Sequence, residues 1–347
     1  MKLIENKKEV KKFFLYNGEE VYAYNDKLII GNKILPSKEK DCYDCKNGVL
    51  YQFINKGSFE YTLLRYDSNS FAEDKFRYED KEYFSQQQYC SYESEEIDDE
   101  KVNVKISFWD KGKEILFQFI SNEEYEICIY DFINEVLVLK SSYSHNSLLF
   151  FTKTGERLWE YKVEEGREIH ESGVMVVDDI VVIPSKENGQ AVLVEGYNLL
   201  TGEKVWEVDD KDCCNYCYSI DRNKMLYSLA SFYCKDHTVE LRLTQINPFT
   251  GEAEMSVLKE GDYWGQIRSL NETIYGNKLF YVNLNKAEGF SLGVVDLDSK
   301  ELIEDMPLES DGFHVEKPIV TDDKIYVLIL HDDKGLNELR IYENEFK

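Results

Sequence analysis

Residues 189–212 read GQAVLVEGYNLLTGEKVWEVDDKD, and this stretch decides the fold of the chain. Residues 191–197 are mostly apolar and rich in β-branched side chains, which favours a strand. Residues 200–203 supply a turn, and the alternation of polar and apolar residues over 204–208 predicts a second strand. The glycine directly after the threonine fits a turn that needs a positive φ. The stretch therefore predicts a strand, a tight turn and a strand.

The same unit recurs along the chain at nearly constant intervals. Thr154, Thr201, Thr250 and Ser299 mark equivalent positions, which stand 47, 49 and 49 residues apart. An Asn or Asp three places before the mark can accept hydrogen bonds from the amides of the turn. A strand-rich repeat with a period in the forties predicts propeller blades, because each small sheet must bury its faces against its neighbours. The recurring tryptophans are Trp159 and Trp206, and the recurring polar residues are Asn198, Asn247 and Asp296.

These repeats resemble those of quinoprotein-like β-propellers, whose blades carry an Asp-x-x-Thr-Gly-x-x-x-x-Trp pattern. The best match is Asn198…Thr201-Gly202…Trp206, and Thr154-Gly155…Trp159 is a second match. The resemblance covers residues 145–305 well and the rest of the chain weakly. It implies a fold rather than a function, since many propellers with this pattern bind no quinone.

The repeat predicts an all-β chain that forms a single β-propeller domain over residues 1–347. Its period predicts about seven four-stranded blades, or six if one blade is truncated. Residues 13–24 echo the repeat and are expected to form the outer strands of a blade, and residues 324–330 and 338–342 supply the complementary strands. We expect strands from the two ends to close the ring, because closure removes exposed sheet edges.

The net charge of the chain limits the classes of partner that it can bind. It carries 67 acidic and 41 basic residues, for a formal net charge of −26. The electrostatic field of such a negative charge repels nucleic-acid backbones and anionic membrane surfaces and attracts a basic protein. The first residues lack the apolar core of a secretory signal, and no run reaches the roughly 18 apolar residues of a membrane span. These features predict a cytoplasmic protein, a monomer when unbound, with reduced thiols.

The charge is expected to gather on one face of the propeller. Connections that leave the outermost strand of each blade share a face, and here they are rich in acids and aromatic residues. The longest, residues 85–101, has few apolar residues and predicts a mobile loop insertion. Since charge steers association and aromatic residues supply binding energy, this face predicts a docking surface. The candidate partner-binding residues are Tyr92, Glu93, Glu95, Glu96, Asp98, Asp99, Glu100, Asp209, Asp210, Asp212, Tyr216, Asp262, Tyr263, Trp264, Asp311 and Phe313.

Two Cys-x-x-Cys pairs could in principle hold zinc. They are Cys42/Cys45 and Cys214/Cys217, and the inner members Cys45 and Cys214 stand 169 positions apart. Zinc knuckles usually lie about 15–20 residues apart, so buried, reduced cysteines are the preferred interpretation, and whether either pair holds a metal stays open. The adjacent Cys213 and Cys214 resemble the vicinal cysteines of quinoprotein alcohol dehydrogenases. Those enzymes are longer and exported, so we expect no quinone or other cofactor.

No motif points to catalysis. The sequence has no G-x-S-x-G elbow, no phosphate-binding glycine loop and no calcium loop. The five histidines are scattered, without metal-ligand spacing, so we expect neither a catalytic residue nor a metal. The histidines are His145, His170, His237, His314 and His331.

The sequence favours a non-enzymatic, protein-binding propeller. The most concrete hypothesis is an acidic bacterial immunity-type protein that caps a basic partner such as a toxin in the cytoplasm. Two alternatives stay open. One is a hydrolase or lyase that acts in the central channel of the propeller, and the other is a scaffold subunit of a larger assembly.

Overall fold

The fold is known from a computed structural model of the chain. The described residues form 33 β-strands and no α-helix, which confirms the all-β prediction. None of these residues belongs to a helix with the length and apolarity that a membrane span needs. The structure describes residues 1–16, 18–37, 42–46, 49–55, 60–67, 70–77, 89–98, 101–110, 113–121, 127–133, 136–141, 147–152, 154–170, 173–211, 213–215, 217–233, 239–261, 272–285, 289–310, 312–331 and 337–346.

The strands of the first half form four antiparallel sheets in which neighbours follow chain order. Strand β1 (Leu3–Lys8) precedes them and belongs to another sheet. The first sheet has β2 (Lys12–Tyr16), β3 (Glu19–Ala23), β4 (Lys27–Ile30) and β5 (Lys33–Pro36). The second has β6 (Cys42–Lys46), β7 (Val49–Asn55), β8 (Glu60–Asp67) and β9 (Ser70–Arg77). The third has β10 (Tyr89–Asp98), β11 (Lys101–Asp110) and β12 (Lys113–Ser121), and the fourth has β13 (Ile127–Ile133), β14 (Val136–Ser141), β15 (Ser147–Thr152) and β16 (Arg157–Lys162).

Four further sheets follow in the second half. The fifth has β17 (Glu168–Ile169), β18 (Met175–Val177), β19 (Ile180–Glu187), β20 (Gln190–Asn198) and β21 (Lys204–Val208). The sixth has β22 (Ser219–Ile220), β23 (Leu226–Tyr233), β24 (Val239–Ile246) and β25 (Ala253–Gly261). The seventh has β26 (Glu272–Tyr275), β27 (Lys278–Asn285), β28 (Gly289–Asp296) and β29 (Glu301–Pro307). The eighth has β30 (His314–Val315), β31 (Ile319–Val320), β32 (Lys324–Leu330) and β33 (Glu338–Glu343), together with β1.

The described residues thus form eight sheets, against the expected number of about seven blades. Five of the eight have four strands. The difference arises in the first half, where the repeat is shorter than in the second half. The whole first sheet lies between Lys12 and Pro36, far less than the period of 47–49 residues from which the expectation came.

One sheet combines strands from both ends of the chain. β1 pairs antiparallel with β33, with Leu3 opposite Tyr342 and Lys8 opposite Glu338. The expectation that residues 13–24 supply outer strands was wrong, because they form β2 and β3 of a separate sheet. β1 is almost wholly exposed, whereas β2 is mostly buried. An outer strand needs only backbone pairing, so β1 lacks the apolar pattern that would have revealed it.

The chain divides into two compact units. The first comprises Met1–Lys11, Ile169–Asn198 and Glu203–Lys347, and the second comprises Lys12–Glu168 and Leu199–Gly202. Organisation as a single domain with one closed ring stays a prediction.

In the first unit the sheets bury both faces against neighbouring sheets. Along β27, Leu279 and Tyr281 join a core cluster with the sixth sheet. Phe280 and Val282 point the other way, into a cluster with the eighth sheet. This double burial explains why strands such as β27 are continuously apolar rather than alternating. In the second unit, the first sheet buries its apolar residues together with Tyr43 of β6 and Leu50 of β7.

The turns of the repeat have the predicted conformation. Gly155, Gly202 and Gly251 have φ of 82°, 70° and 75°, which confirms that these turns need a positive φ. The predicted side-chain acceptors are also confirmed at two positions. The amide of Phe249 donates to Asn247 Oδ1 at 2.9 Å, and the amide of Ser299 donates to Asp296 Oδ1 at 2.9 Å. Local hydrogen bonding therefore stabilises these turns.

Candidate protein-binding surface

Three connections in the first unit lead from an outermost strand to the next innermost strand. They follow β21, β25 and β29. Innermost strands lie side by side, since β26 contacts both β22 and β31, and the outermost strands β25 and β29 also touch. Trp206 of β21 donates from Nε1 to Pro248 O in the turn before β25, at 2.6 Å. The sheets therefore stack in one orientation, and the C-terminal ends of β21, β25 and β29 lie at the same end of their sheets.

Acids and one aromatic ring are exposed at this end. Asp209 and Asp210 follow β21 directly and are exposed. Phe313, just before β30, is 56% exposed. Its amide donates to Leu330 O at 3.0 Å, so its backbone is fixed while the ring faces solvent. Glu309 is also exposed, four residues before Phe313. These four residues, which we call the acidic edge, lie at the same end of their sheets. Asp209, Asp210 and Phe313 are among the predicted partner-binding residues, and Glu309 is not.

The connection after β21 is anchored by buried cysteines. The amides of Cys213 and Cys214 both donate to Asp210 O at 2.9 Å, which holds the chain in a tight turn. Cys213, Cys214 and Cys217 are buried and take part in no disulfide, which confirms the interpretation as buried thiols for these three. Burial raises the pKa of Cys214 to about 12, so at neutral pH it is a thiol rather than a reactive thiolate.

The other Cys-x-x-Cys pair, Cys42 and Cys45, lies in β6. Within the ranges that the structure describes, no group of three or more His, Cys, Asp or Glu side chains is arranged to hold a metal ion.

The prediction of a loop over residues 85–101 was wrong for most of its length. Tyr92, Glu93, Glu95, Glu96 and Asp98 lie in β10, which pairs antiparallel with β11, with a register shift between Glu96 and Asp98. Strand pairing uses backbone groups, and an edge strand rich in charged residues is a common protection against wrong pairing. These residues belong to the second unit, whereas the acidic edge belongs to the first.

Eight of the predicted partner-binding residues lie outside the described residues. They are Asp99, Glu100, Asp212, Tyr216, Asp262, Tyr263, Trp264 and Asp311.

Sequence reasoning did not single out Glu272, the most deeply buried of the carboxyl groups that the structure describes. Glu272 opens the innermost strand β26 and is 1% exposed. Its Oε1 accepts a hydrogen bond from the amide of Leu229 at 2.8 Å. Burial raises its pKa to about 8, against the lowering effects of the Leu229 amide and of the Lys317 charge. Among 67 acidic residues nothing in the sequence distinguishes Glu272, because only the stacking of the sheets buries it.

Comparison with known proteins bears on the fold alone. No protein-family model matches the chain, and no curated protein does. Dihydro-heme d1 dehydrogenase NirN, solved in complex with DHE, is similar over 86% of this chain with a TM-score of 0.51 and 12% identity. The chain spans 66% of that protein's length. The WD40 domain of SCAP from fission yeast is similar over 96% of this chain and 95% of its own, with a TM-score of 0.48 and 9% identity.

A third solved structure, europium-containing methanol dehydrogenase, is similar over 84% of this chain and 68% of that chain, with a TM-score of 0.43 and 11% identity. At such identities a likeness carries no activity or partner across. The succession of small antiparallel sheets and the likeness to NirN agree. The chain has an all-β fold of the β-propeller class.

Proposed function

We propose that the chain is a non-enzymatic propeller that binds a basic protein through the acidic edge. The observation that carries the proposal is Phe313, an aromatic ring 56% exposed on a backbone fixed by its hydrogen bond to Leu330. Rigid exposed aromatic residues make strong anchors at interfaces because little entropy is lost when they are buried. Asp209, Asp210 and Glu309 add negative charge to the same end of the sheets.

The net charge supports a basic partner. A formal charge of −26 accelerates association with a cationic protein and opposes nucleic acid or anionic lipid. The concrete form that we propose is an immunity-type inhibitor, acting in the bacterial cytoplasm, that caps a basic toxin. Such a protein needs a binding surface but no catalytic group.

Catalysis in the propeller channel is the second candidate function. Glu272 favours it, because a carboxyl group with a pKa of about 8 on an innermost strand resembles a general acid. Its 1% exposure opposes this role, since a general acid must come within hydrogen-bond reach of the substrate. We therefore rank binding above catalysis. A scaffold role in a larger assembly would use the same exposed edge.

Capture of a partner at two salt concentrations tests the proposal. The chain is immobilised and exposed to a lysate at low and high salt, and retained proteins are identified and purified for kinetics. We expect a basic protein that is retained at low salt and largely released at high salt. Phe313→Ala should weaken its binding at least about tenfold, mainly through faster dissociation. The double variant Asp209→Asn/Asp210→Asn should slow association.

A matched control is available at the other end of the sheets. Phe249 is 40% exposed in the turn between β24 and β25, and Phe249→Ala should leave binding unchanged. Retention of no basic protein at low salt would contradict the proposal. So would equal losses from Phe249→Ala and Phe313→Ala, because that result would mean general damage rather than a local surface.

A further inference from the structure

Glu272 joins two neighbouring sheets of the first unit. β22 pairs with β23 only through Ser219 and Ile220, opposite Tyr227 and Leu226. It therefore ends before Leu229, whose amide would otherwise lack an acceptor on that side. Glu272 supplies the acceptor, through Oε1 at 2.8 Å, from the innermost strand of the next sheet. Since a buried amide without a partner is costly, this bond is a structural link between β23 and β26.

The second oxygen of Glu272 is one of the buried, unpartnered polar atoms in the seventh sheet. Glu272 Oε2, Asn283 Oδ1 and Ser291 Oγ are buried and have no hydrogen-bond partner among the protein's own groups. Glu272 and Asn283 are each 1% exposed, and Ser291 is 8% exposed.

Strand register brings these three residues onto one face of the seventh sheet. Glu272 is opposite Tyr281, and Asn283 follows Tyr281 by two residues on the same strand. Ser291 is directly opposite Asn283. Because side chains alternate between faces and opposite residues share a face, all three point to the side of the sixth sheet.

A proton on Glu272 removes an uncompensated buried charge. An ionised carboxylate would leave Oε2 as a buried charged acceptor with no donor bonded to it. A neutral carboxylic acid keeps Oε1 as the acceptor for Leu229 and carries no charge on Oε2. We propose that Glu272 is held as a neutral acid at neutral pH and that its deprotonation in mildly alkaline solution weakens the packing of β26 against β23. This device is independent of the proposed partner binding.

The surrounding groups set the pH at which Glu272 loses its proton. Burial is the largest effect and raises the pKa of Glu272 to about 8, while the Leu229 amide and the charge of Lys317 lower it. Lys317 lies in the connection between β30 and β31 and is exposed as a whole residue, but partial desolvation of its amine lowers its own pKa. Tyr281 of β27 and Tyr227 of β23 are the titratable groups in the core cluster between the sixth and seventh sheets, and burial raises the pKa of Tyr227. Lys278 of β27 is opposite Tyr275 of β26, but its side chain points to the other face of the sheet.

The pH dependence of folding has a defined sign. The pKa of Glu272 is raised from 4.5 to about 8 in the folded chain. Between these values the folded chain keeps a proton that the unfolded chain has lost, so stability falls as the pH rises. The unfolding equilibrium constant should therefore rise about tenfold for each pH unit in this window and level off above about pH 8. The pKa of Lys317 is lowered by burial, which gives an opposite slope in its own range.

Urea unfolding of the full chain between pH 5 and 9.5 tests the proposal. Glu272→Gln keeps an acceptor for Leu229 and a donor in place of the acidic proton, so it mimics the neutral acid. We expect it to match the wild type near pH 5 and to become the more stable protein as the pH rises. The gap in unfolding constants should grow by about tenfold per pH unit up to about pH 8. Glu301→Gln, at an exposed position of β29 in the same sheet, is the matched control and should follow the wild-type profile.

Infrared spectroscopy of the folded protein gives a second measurement that does not need a folded variant. The carbonyl band of a protonated carboxylic acid should be present at pH 7 and lost at pH 9. Lys317→Gln should shift the loss of this band to higher pH, because the substitution removes the positive charge that favours ionisation of Glu272. Parallel unfolding profiles for wild type and Glu272→Gln between pH 5 and 8 would overturn the proposal. Absence of the protonated band from the wild type at pH 7 would overturn it independently.

Discussion

The indole of Trp206 packs against Gly251, so the tryptophan of one repeat covers the turn of the next. A Cβ atom on Gly251 would lie 2.7 Å from Cβ of Trp206. In the second unit Trp159 has the same relationship to Gly202, where an added Cβ would lie 2.5 Å from the ring. The Trp of the sequence pattern therefore packs on the Thr-Gly turn of the next repeat rather than on the turn of its own repeat. Glycine is needed for its positive φ and also because no larger residue leaves room for the indole.

We expect Gly251→Ala to destabilise the protein by about 2–4 kcal/mol. About 1 kcal/mol comes from placing a Cβ at a φ of 75°. The rest comes from overpacking against Trp206, which typically costs about 1–3 kcal/mol. Urea unfolding followed by tryptophan fluorescence measures the change.

Gly276→Ala separates the two contributions. Gly276 has a φ of 61°, and an added Cβ there would have nothing within 4 Å. This variant should lose only about 1 kcal/mol, for backbone strain alone. If both alanine variants cost the same, the contact with Trp206 does not constrain the turn.

Lys300→Gly should stabilise the protein by about 1 kcal/mol. Lys300 occupies the place of the turn glycine in the fourth repeat and has a φ of 57° although it carries a Cβ. Glycine relieves that strain, which outweighs the loss of the surface ion pair between Lys300 and Glu254. Lys300→Ala removes the ion pair and keeps the strain, so it should be slightly less stable than the wild type. Thermal unfolding of the three proteins side by side tests the order.

The three buried thiols should resist modification in the folded chain. Burial raises the pKa of Cys214 to about 12, and Cys213 and Cys217 are also buried. At pH 8 a maleimide should label these positions quickly only after unfolding in urea. Mass spectrometry of the peptide that carries them measures the labelling. Rapid labelling of this peptide in the native protein would show that the connection after β21 opens readily.

The all-β fold and its turns could be predicted because they depend on local patterns. The turns need glycine, and Asn or Asp before it, for local reasons, so the sequence shows these residues whatever packs around them. The number of sheets could not be predicted, because the first sheet fits into Lys12–Pro36 without the Thr-Gly mark. β1 was missed because outer strands pair through the backbone and need no apolar face.

The candidate site was predictable only in part. The repeat predicts where each outermost strand ends, and therefore that the charged residues after it are exposed, as Asp209 and Asp210 are. The acids of β10 show the limit, because a charged edge strand and a charged loop look alike in a sequence. Glu272 could not be found at all, since its burial comes from a strand of the neighbouring sheet.

The pairing of the chain ends should weaken in acid through Glu338 of β33, which is buried and 3% exposed. Burial alone would raise its pKa, but hydrogen bonds from Lys8, Asn6 and Arg340 lower it to about 2. The stabilisation is therefore complete above about pH 4.5 and is lost as the pH falls toward 2. Glu338→Gln should cost about 2–4 kcal/mol at pH 7, because it removes the carboxylate that accepts hydrogen bonds from Lys8 and Arg340. It should cost much less at pH 3, where the wild-type carboxyl is protonated in the unfolded chain and folding must release that proton. Urea unfolding at both pH values measures this, with the exposed Glu343→Gln of the same strand as control. An equal cost at pH 7 and pH 3 would mean that the ionised carboxylate does not hold β1 against β33.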